Sequence, residues 1–174
     1  KPLSILELER EGIIAFHSLS KRSAMTGFRV GWVMGDERII EPFKKLKTNI
    51  DSGVATFIQD AASVALADET HVKEFNTSYK KKAEIISEAL QSIGMPNCMP
   101  KSTIYMWQKL EGISSLDFAT KLLDKKLAMV VTPGEAISNE VDGVNPGEGF
   151  IRIALVPTMA EIKEAAKRIK SISL

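Results

Sequence analysis

The chain has 174 residues, with 23 Lys and Arg against 22 Asp and Glu, so its formal net charge is +1. Hydrophobic residues make up 44% of the sequence, which is enough for the core of one domain or of two small packed units and argues against a disordered or fibrous protein. The balanced charge gives no electrostatic reason to expect a nucleic-acid partner.

Cysteine, histidine and hydropathy patterns exclude further classes of protein. The single cysteine, Cys98, cannot form an internal disulfide, and His17 and His71 lie far apart, so we expect no metal site. No run approaches the ~20 apolar residues of a membrane span, and the first residues show no signal-peptide pattern. We therefore expect a cytoplasmic protein with no membrane partner. The start at Lys1, without an initiator Met, suggests a chain cut from a longer protein.

In the first part of the chain, apolar β-branched runs predict two buried strands, at 12–17 and 29–34. A Gly-Asp pair after the second run predicts a turn and a helix N-cap. The following helix is expected over 37–49, and Pro42 inside it predicts either a kink or a start near Glu41.

Two more helices follow from apolar residues spaced three and four apart. One covers about 54–65, and the other runs over 22 residues at 72–93, which is about 33 Å at ~1.5 Å per residue. Three consecutive lysines, Lys80 to Lys82, lie on the longer helix. We interpret them as a solvated face, because a charge run on a helix is usually exposed.

The pattern changes after Gly94 to shorter elements of a small α+β unit. These are, in chain order, a strand at 103–110, a helix at 115–126, a strand at 127–131, a loop at 138–149, a strand at 150–155 and a last helix opened by a capping box at Thr158–Glu161.

The segment after the first predicted strand carries the most specific chemical signal. Lys21 follows that strand directly, with Ser18 and Ser20 before it and Arg29 eight residues later. An amine in cationic, partly desolvated surroundings is favoured in its neutral form, which suits Schiff-base chemistry with an aldehyde. Hydroxyls and a guanidinium are the donors that a phosphate monoester needs. An aldehyde-binding lysine beside such donors indicates pyridoxal phosphate.

This segment resembles the pyridoxal-phosphate attachment site of class I/II aminotransferases, in which a small-apolar-small-Lys run is followed eight residues later by Arg-apolar-Gly. The resemblance implies that Lys21 binds the cofactor covalently and, once released, acts as the general base. It implies that Ser18 and Arg29 bind the cofactor phosphate, with Ser20 as a further contact. Gly31 fits a place where the backbone passes close to neighbouring structure.

Arg152 is the second candidate, as a lone arginine within the apolar run 150–155. Burying a charge without a partner costs several kcal/mol, so the residues alone favour a salt bridge, for example to Glu135 or Glu148. An arginine in this Gly-x-x-Arg context resembles the family residue that binds the substrate α-carboxylate. The resemblance therefore implies a substrate-binding role for Arg152.

The resemblance extends over the chain from about Ser4 to its end and is closest to the aspartate aminotransferase-like branch that includes LL-diaminopimelate aminotransferases. Lys47 to Gly53 resembles the segment that reaches the partner subunit's active site in the family's homodimers, and it makes Asn49 a candidate substrate-binding residue. The turn at 132–134 and the strand at 100–107 resemble parts of the family's small domain.

The implied fold class is α/β, as the C-terminal part of a fold-type-I pyridoxal-phosphate transferase. Residues 1–70 would be a remnant of the cofactor-binding large domain, 71–94 a connecting long helix and 95–174 a small α+β domain.

The implied activity is transfer of an amino group from an amino acid, of an acidic or diaminopimelate type, to a 2-oxo acid. Complete enzymes of this kind are about twice as long, and their Asp that pairs with the cofactor ring nitrogen has no counterpart here. One alternative is therefore a catalytically inactive C-terminal fragment. The other is a lyase or decarboxylase of the same fold type.

Overall fold

The computed structural model describes residues 3–173. It divides into two compact units, and the division falls between Glu74 and Phe75. Residues up to Glu74 are called the first unit, and those from Phe75 onward the second unit. Within the described range, no helix combines the length and hydropathy needed to cross a bilayer.

The first unit contains, in chain order, α1 (Ile5–Leu8), β1 (Ile14–Ser18), α2 (Leu19–Arg22), a 3₁₀ turn (Thr26–Phe28), β2 (Gly31–Gly35), α3 (Glu37–Ile50), α4 (Thr56–Ala67) and the start of α5 (Thr70–Gln91). The two predicted strands and the three predicted helices of this region are confirmed, with ends shifted by at most two residues. The helix α5 has the 22 residues expected from its apolar period.

Strands β1 and β2 form an antiparallel pair, with Ile14 opposite Gly35 and Ser18 opposite Gly31. The backbone of β1 passes so close to position 31 that only glycine fits there, because a Cβ would lie 2.6 Å from the His17 carbonyl oxygen. The prediction that these strands are buried is wrong, since Phe16 and Met34 are exposed. A two-stranded sheet buries little of either face without further strands.

Helix α3 starts at Glu37, so the alternative start near Glu41 is wrong. The Asp36 carboxylate caps the first turn by accepting from the Arg38 N–H at 2.9 Å. The Ile40 N–H also donates to the Asp36 carbonyl oxygen at 2.9 Å. The first turn is thus complete before Pro42, which removes one N–H donor inside the helix.

The second unit holds the larger part of α5, followed by β3 (Tyr105–Lys109), α6 (Ser115–Leu122), β4 (Thr132–Pro133), a 3₁₀ turn (Gly134–Ile137), β5 (Phe150–Ala154) and α7 (Met159–Ile169). The strands form one antiparallel sheet in the order β3-β5-β4. The helices and the sheet enclose a hydrophobic core. Its buried members are Ala83, Ile86, Ala89, Leu90, Met95, Met106, Leu110, Phe118, Leu122, Ile151, Leu155, Ile162, Ala166, Ile169 and Ile172.

The strand predicted at 127–131 is wrong, and the strand at this place, β4, begins only at Thr132. The backbone N–H of Ala128 donates to the Asp124 carbonyl oxygen at 2.7 Å, and that of Met129 to the Leu122 carbonyl oxygen at 2.8 Å. These amides therefore close the end of α6, and Ala128 takes a left-handed conformation with φ of 46°. The same turn ends α6 at Leu122, four residues before the predicted helix end.

The interpretation of the lysine run as a solvated face is wrong for Lys82. Its neighbours Lys80 and Lys81 are exposed, but Lys82 is only 7% exposed. The Lys82 Nζ donates to the Leu155 carbonyl oxygen at 3.1 Å and lies 5.3 Å from the centre of the Tyr79 ring. One lysine of the run therefore ties α5 to the chain that leaves β5.

Candidate functional site

The two candidate serines lie together where β1 passes into α2. Ser18 is the N-cap of α2, and its Oγ accepts from the Ser20 N–H at 3.0 Å. The two hydroxyl oxygens are 2.9 Å apart, and the Ser18 hydroxyl also reaches the Val30 carbonyl oxygen at 3.3 Å. Because Val30 directly follows Arg29, this contact brings the predicted arginine's segment next to the serine pair.

A second hydrogen bond links the same two segments. The Thr26 Oγ1 donates to the Ser20 carbonyl oxygen at 3.1 Å, which holds the 3₁₀ turn against α2. Arg29 ends that turn in a left-handed conformation with φ of 51°, and its Nη1 donates to the Thr26 carbonyl oxygen at 3.0 Å. Thr26 was not selected from the sequence. Its hydroxyl, placed between Lys21 and Arg29, could have identified it.

Lys21 is the third residue of α2, so it sits on a helical turn and not on the strand end itself. Its side chain is exposed, whereas the neighbouring Leu19 is fully buried. Among residues 3–173, no carboxylate forms an ion pair with Lys21 or with Arg29. Both cationic groups are therefore available to a ligand.

The chemistry of this donor set fits pyridoxal phosphate. Two adjacent hydroxyls and an arginine without a carboxylate partner are donors for a phosphate, which accepts hydrogen bonds and carries negative charge. An exposed primary amine three residues from Ser18 suits an aldehyde. The described residues contain no group of three or more His, Cys, Asp or Glu side chains suited to a metal ion.

Arg152 lies in the centre of β5 of the second unit, opposite Trp107 on one side and Thr132 on the other. Its guanidinium stacks over the Tyr105 ring, 4.8 Å from the ring centre, and the side chain is half-buried. Tyr105 was not selected from the sequence. It lies on β3 two residues before Trp107, which places it diagonally across the strand pair from Arg152.

The expected alternative for Arg152, a salt bridge to Glu135 or Glu148, is not found in the described part of the chain. Glu135 instead accepts from the Ser115 hydroxyl and from the Gly149 N–H at 3.4 Å. The Ser115 hydrogen bond holds the pKa of the Glu135 carboxyl below its ordinary value. The Arg152 guanidinium therefore keeps donors that a carboxylate ligand could accept from.

Asn49 lies in the last turn of α3 and is exposed. Its Nδ2 donates to the Lys45 carbonyl oxygen at 2.7 Å, so part of its hydrogen-bonding capacity is used within the helix. The segment turns after Ile50, where Ser52 has a φ of 60°. The Asn49 side-chain carbonyl remains on an exposed surface.

The amine, the hydroxyl pair and the arginine lie on one short stretch of the first unit, and their chemistry fits a phosphorylated aldehyde. The chain belongs to the family described as aminotransferase class I and II, whose model matches residues 3–169.

Individual relatives carry more specific names. The chain is 39% identical over 176 residues to an LL-diaminopimelate aminotransferase of Maridesulfovibrio salexigens, covering 99% of this chain and 44% of that protein. It is 38% identical over 178 residues to an LL-diaminopimelate aminotransferase of Aquifex aeolicus, covering 100% of this chain and 44% of that protein. The chain thus spans less than half the length of these relatives.

Solved structures that resemble this chain are also aminotransferases. An aminotransferase from Neisseria meningitidis superposes with a TM-score of 0.89 at 35% identity, covering 98% of this chain and 44% of that one. A probable N-succinyldiaminopimelate aminotransferase from Thermus thermophilus superposes with a TM-score of 0.76 at 31% identity, covering 92% of this chain and 42% of that one. The mixed α/β fold is therefore that of part of an aminotransferase.

Proposed function

We propose that this chain carries the lysine and phosphate-binding residues of a pyridoxal-phosphate-dependent aminotransferase. The observation that carries the proposal is the exposed Lys21 beside the Ser18–Ser20 hydroxyl pair, whose oxygens are 2.9 Å apart. The family match over residues 3–169 supports it. The substrates would be an amino acid, of an acidic or diaminopimelate type, and a 2-oxo acid.

The proposed roles follow from the chemistry of each side chain. Ser18, Ser20 and Arg29 would hold the cofactor phosphate by hydroxyl and guanidinium donors. The cofactor, when bound, withdraws electrons from the substrate's α-carbon. The Lys21 Nζ would accept the proton from the substrate's α-carbon as general base. Arg152 would pair with the α-carboxylate and thereby orient the substrate.

We further propose that the chain represents the C-terminal portion of such an enzyme and does not turn over substrate alone. It spans 44% of the length of its relatives, and the family's acidic partner for the cofactor ring nitrogen has no counterpart in it. In the full-length form we expect a cytoplasmic homodimer, with Asn49 near the partner subunit's site. Residues 1–70 would belong to the large domain, 71–94 to a connecting helix and 95–174 to the small domain.

Lysine mapping tests this proposal. The chain is incubated with pyridoxal phosphate, reduced with borohydride and digested, and the modified lysine is identified by mass spectrometry. We expect the label at Lys21, lost in Lys21→Ala and retained in Lys80→Ala, which removes another exposed lysine, in α5. Label spread over many lysines would contradict the proposed site.

The phosphate-binding role has its own control. Pyridoxal, which lacks the phosphate, is compared with pyridoxal phosphate as the labelling reagent. Arg29→Met should raise the pyridoxal phosphate concentration needed for half-labelling by about tenfold, the loss of one charge-assisted contact, and leave labelling by pyridoxal unchanged. An equal effect on both reagents would assign Arg29 a different role.

A further inference from the structure

Helix α2, which carries Lys21, is too short to hold its own orientation. It has four residues, and isolated helices shorter than ~12 residues are marginal in water. The N–H groups of Ser23 and Met25, just past its end, donate to the same acceptor, the Leu19 carbonyl oxygen, at 3.0 and 3.2 Å. The direction of the Lys21 side chain must therefore depend on what the neighbours of Lys21 contact.

Arg22, the next residue, forms the first of these contacts. Its Nη1 donates to the Ala65 carbonyl oxygen at 3.0 Å, and its Nη2 forms an ion pair with the Glu69 carboxylate. Only 15% of the Arg22 side chain is exposed, so the guanidinium is mostly withdrawn from water and held by a two-pronged contact. The partners lie in the last turn of α4 and just before α5.

Ser23 forms a second contact with the same region. Its hydroxyl lies 2.9 Å from the His71 Nε2, and the His71 Nδ1 lies 3.3 Å from the Asp68 carboxylate. The Arg22 Nη1 also donates to the Ser23 Oγ at 3.1 Å, which joins the two contacts into one network. Two consecutive residues after Lys21 are thus tied to the junction of α4 and α5.

We infer that Arg22 is a positioning residue for Lys21, with the Ser23–His71 contact as its support. The inference rests on the proposed function, because it assigns Arg22 the task of aiming the amine that binds the cofactor aldehyde. Small errors in the placement of a reacting group are costly in rate. Lys21 itself stays exposed and free to react while the backbone on its C-terminal side is fixed.

The test compares Arg22→Met with a matched control. Arg38→Met removes another arginine of the first unit that pairs with two carboxylates, those of Asp36 and Glu11, and that does not touch α2. We expect Arg22→Met to slow pyridoxal phosphate labelling of Lys21 by about tenfold or more. Arg38→Met should label at the wild-type rate, and Arg22→Lys, which keeps the charge, should recover part of the loss.

An analogue separates positioning from general damage. 4-Deoxypyridoxine 5′-phosphate keeps the phosphate but has no aldehyde, so its binding does not require Lys21. If Arg22 acts by positioning, Arg22→Met binds this analogue as tightly as the wild type does. Labelling of Lys21 at the wild-type rate in Arg22→Met overturns the inference. Parallel loss of labelling and analogue binding also overturns it, since Arg22 would then be a general structural residue.

Amide hydrogen exchange tests the positioning role of Arg22 without the cofactor. The Ser23 and Met25 N–H groups should exchange about tenfold faster in Arg22→Met than in the wild type, because α2 would open locally. Arg38→Met should leave both rates unchanged. Failure of the wild type to label at Lys21 would refute the proposed function, whereas unchanged Ser23 and Met25 exchange in Arg22→Met would refute the positioning role.

Discussion

The Asp36 carboxylate joins three segments of the first unit. It accepts from the Gly12 N–H at 2.6 Å and the Arg38 N–H at 2.9 Å, and it pairs with the Arg38 guanidinium, which also reaches Glu11. The Arg38 guanidinium, together with the two N–H donors, holds the pKa of the Asp36 carboxyl well below its usual range. The N-terminal region, β2 and α3 are thereby connected through one side chain.

This arrangement predicts a pH dependence of stability. Because the pKa of Asp36 is lower in the folded state than in the unfolded state, the stabilisation is present above the unfolded value of 3.8 and is lost as the pH falls through the folded value. Asp36→Asn, which keeps a capping side chain, should lower the denaturation midpoint at pH 7 and make less difference at pH 3. Glu37→Gln, at the neighbouring position, should change little. An equal deficit at both pH values would contradict the electrostatic explanation.

Lys82 shows how one side chain can serve two elements of the second unit. Its methylene groups cross from α5 towards the end of β5, and its Nζ donates to the carbonyl oxygen of the fully buried Leu155. The Tyr79 ring covers the charged end. A buried lysine is tolerated here because a backbone acceptor and an aromatic face replace part of its hydration.

At the scale of elements, α7 depends on its first turn. The Thr158 Oγ1 accepts from the Glu161 N–H at 3.3 Å, and the Glu161 carboxylate accepts from the Thr158 N–H at 2.7 Å, so the capping box predicted from the sequence is confirmed. The Thr158 hydroxyl also holds the pKa of the Glu161 carboxyl below its ordinary value. The helix then places Ile162, Ala166 and Ile169 in the core.

Thr158→Ala should therefore destabilise the second unit by about 1 kcal/mol, the usual cost of losing an N-cap side chain. The control is Thr120→Ala, which makes the same chemical change at an exposed position within α6 and should stay within about 0.5 kcal/mol of the wild type. Denaturant unfolding measures both values. A Thr158→Ala protein as stable as Thr120→Ala would show that packing alone holds α7.

At the scale of the whole molecule, the two units differ in how much apolar surface they bury. Among the described residues of the first unit, the buried hydrophobic side chains are Leu19 and Ala62, whereas the second unit has the core described above. Burial of apolar surface is the main favourable contribution to folding. We therefore expect the first unit to be the less stable one.

The two tryptophans allow the stabilities of the two units to be compared. Trp32 lies in β2 of the first unit and Trp107 in β3 of the second. In Trp107→Phe the remaining fluorescence reports the first unit, and in Trp32→Phe it reports the second. We expect the Trp32 signal to change at a lower denaturant concentration than the Trp107 signal. Coincident transitions would show that the units unfold as one cooperative system.

Much of the fold could be predicted from local sequence signals. The long apolar period of α5 and the capping box of α7 each depend on residues within one helix, and the structure confirms both. The glycine at 31 was expected at a close backbone approach, and it lies against the His17 carbonyl. The strand predicted at 127–131 is wrong because the N–H groups of Ala128 and Met129 donate to the carbonyl oxygens of Asp124 and Leu122, at the end of α6 and just after it. Those N–H groups are therefore used locally and do not pair with a neighbouring strand.

For the candidate site, the sequence by itself determined which chemistry is present: an amine, hydroxyls and guanidinium groups at the spacing of a known family. Spacing along the chain is enough for this, because Ser18, Ser20 and Lys21 lie within one turn. Only the tertiary structure decided which partners the other charged residues have. It shows that Arg152 stacks on Tyr105, and that Arg22 is held by residues more than 40 positions away. Such pairings depend on how distant segments pack, and no local pattern contains that information.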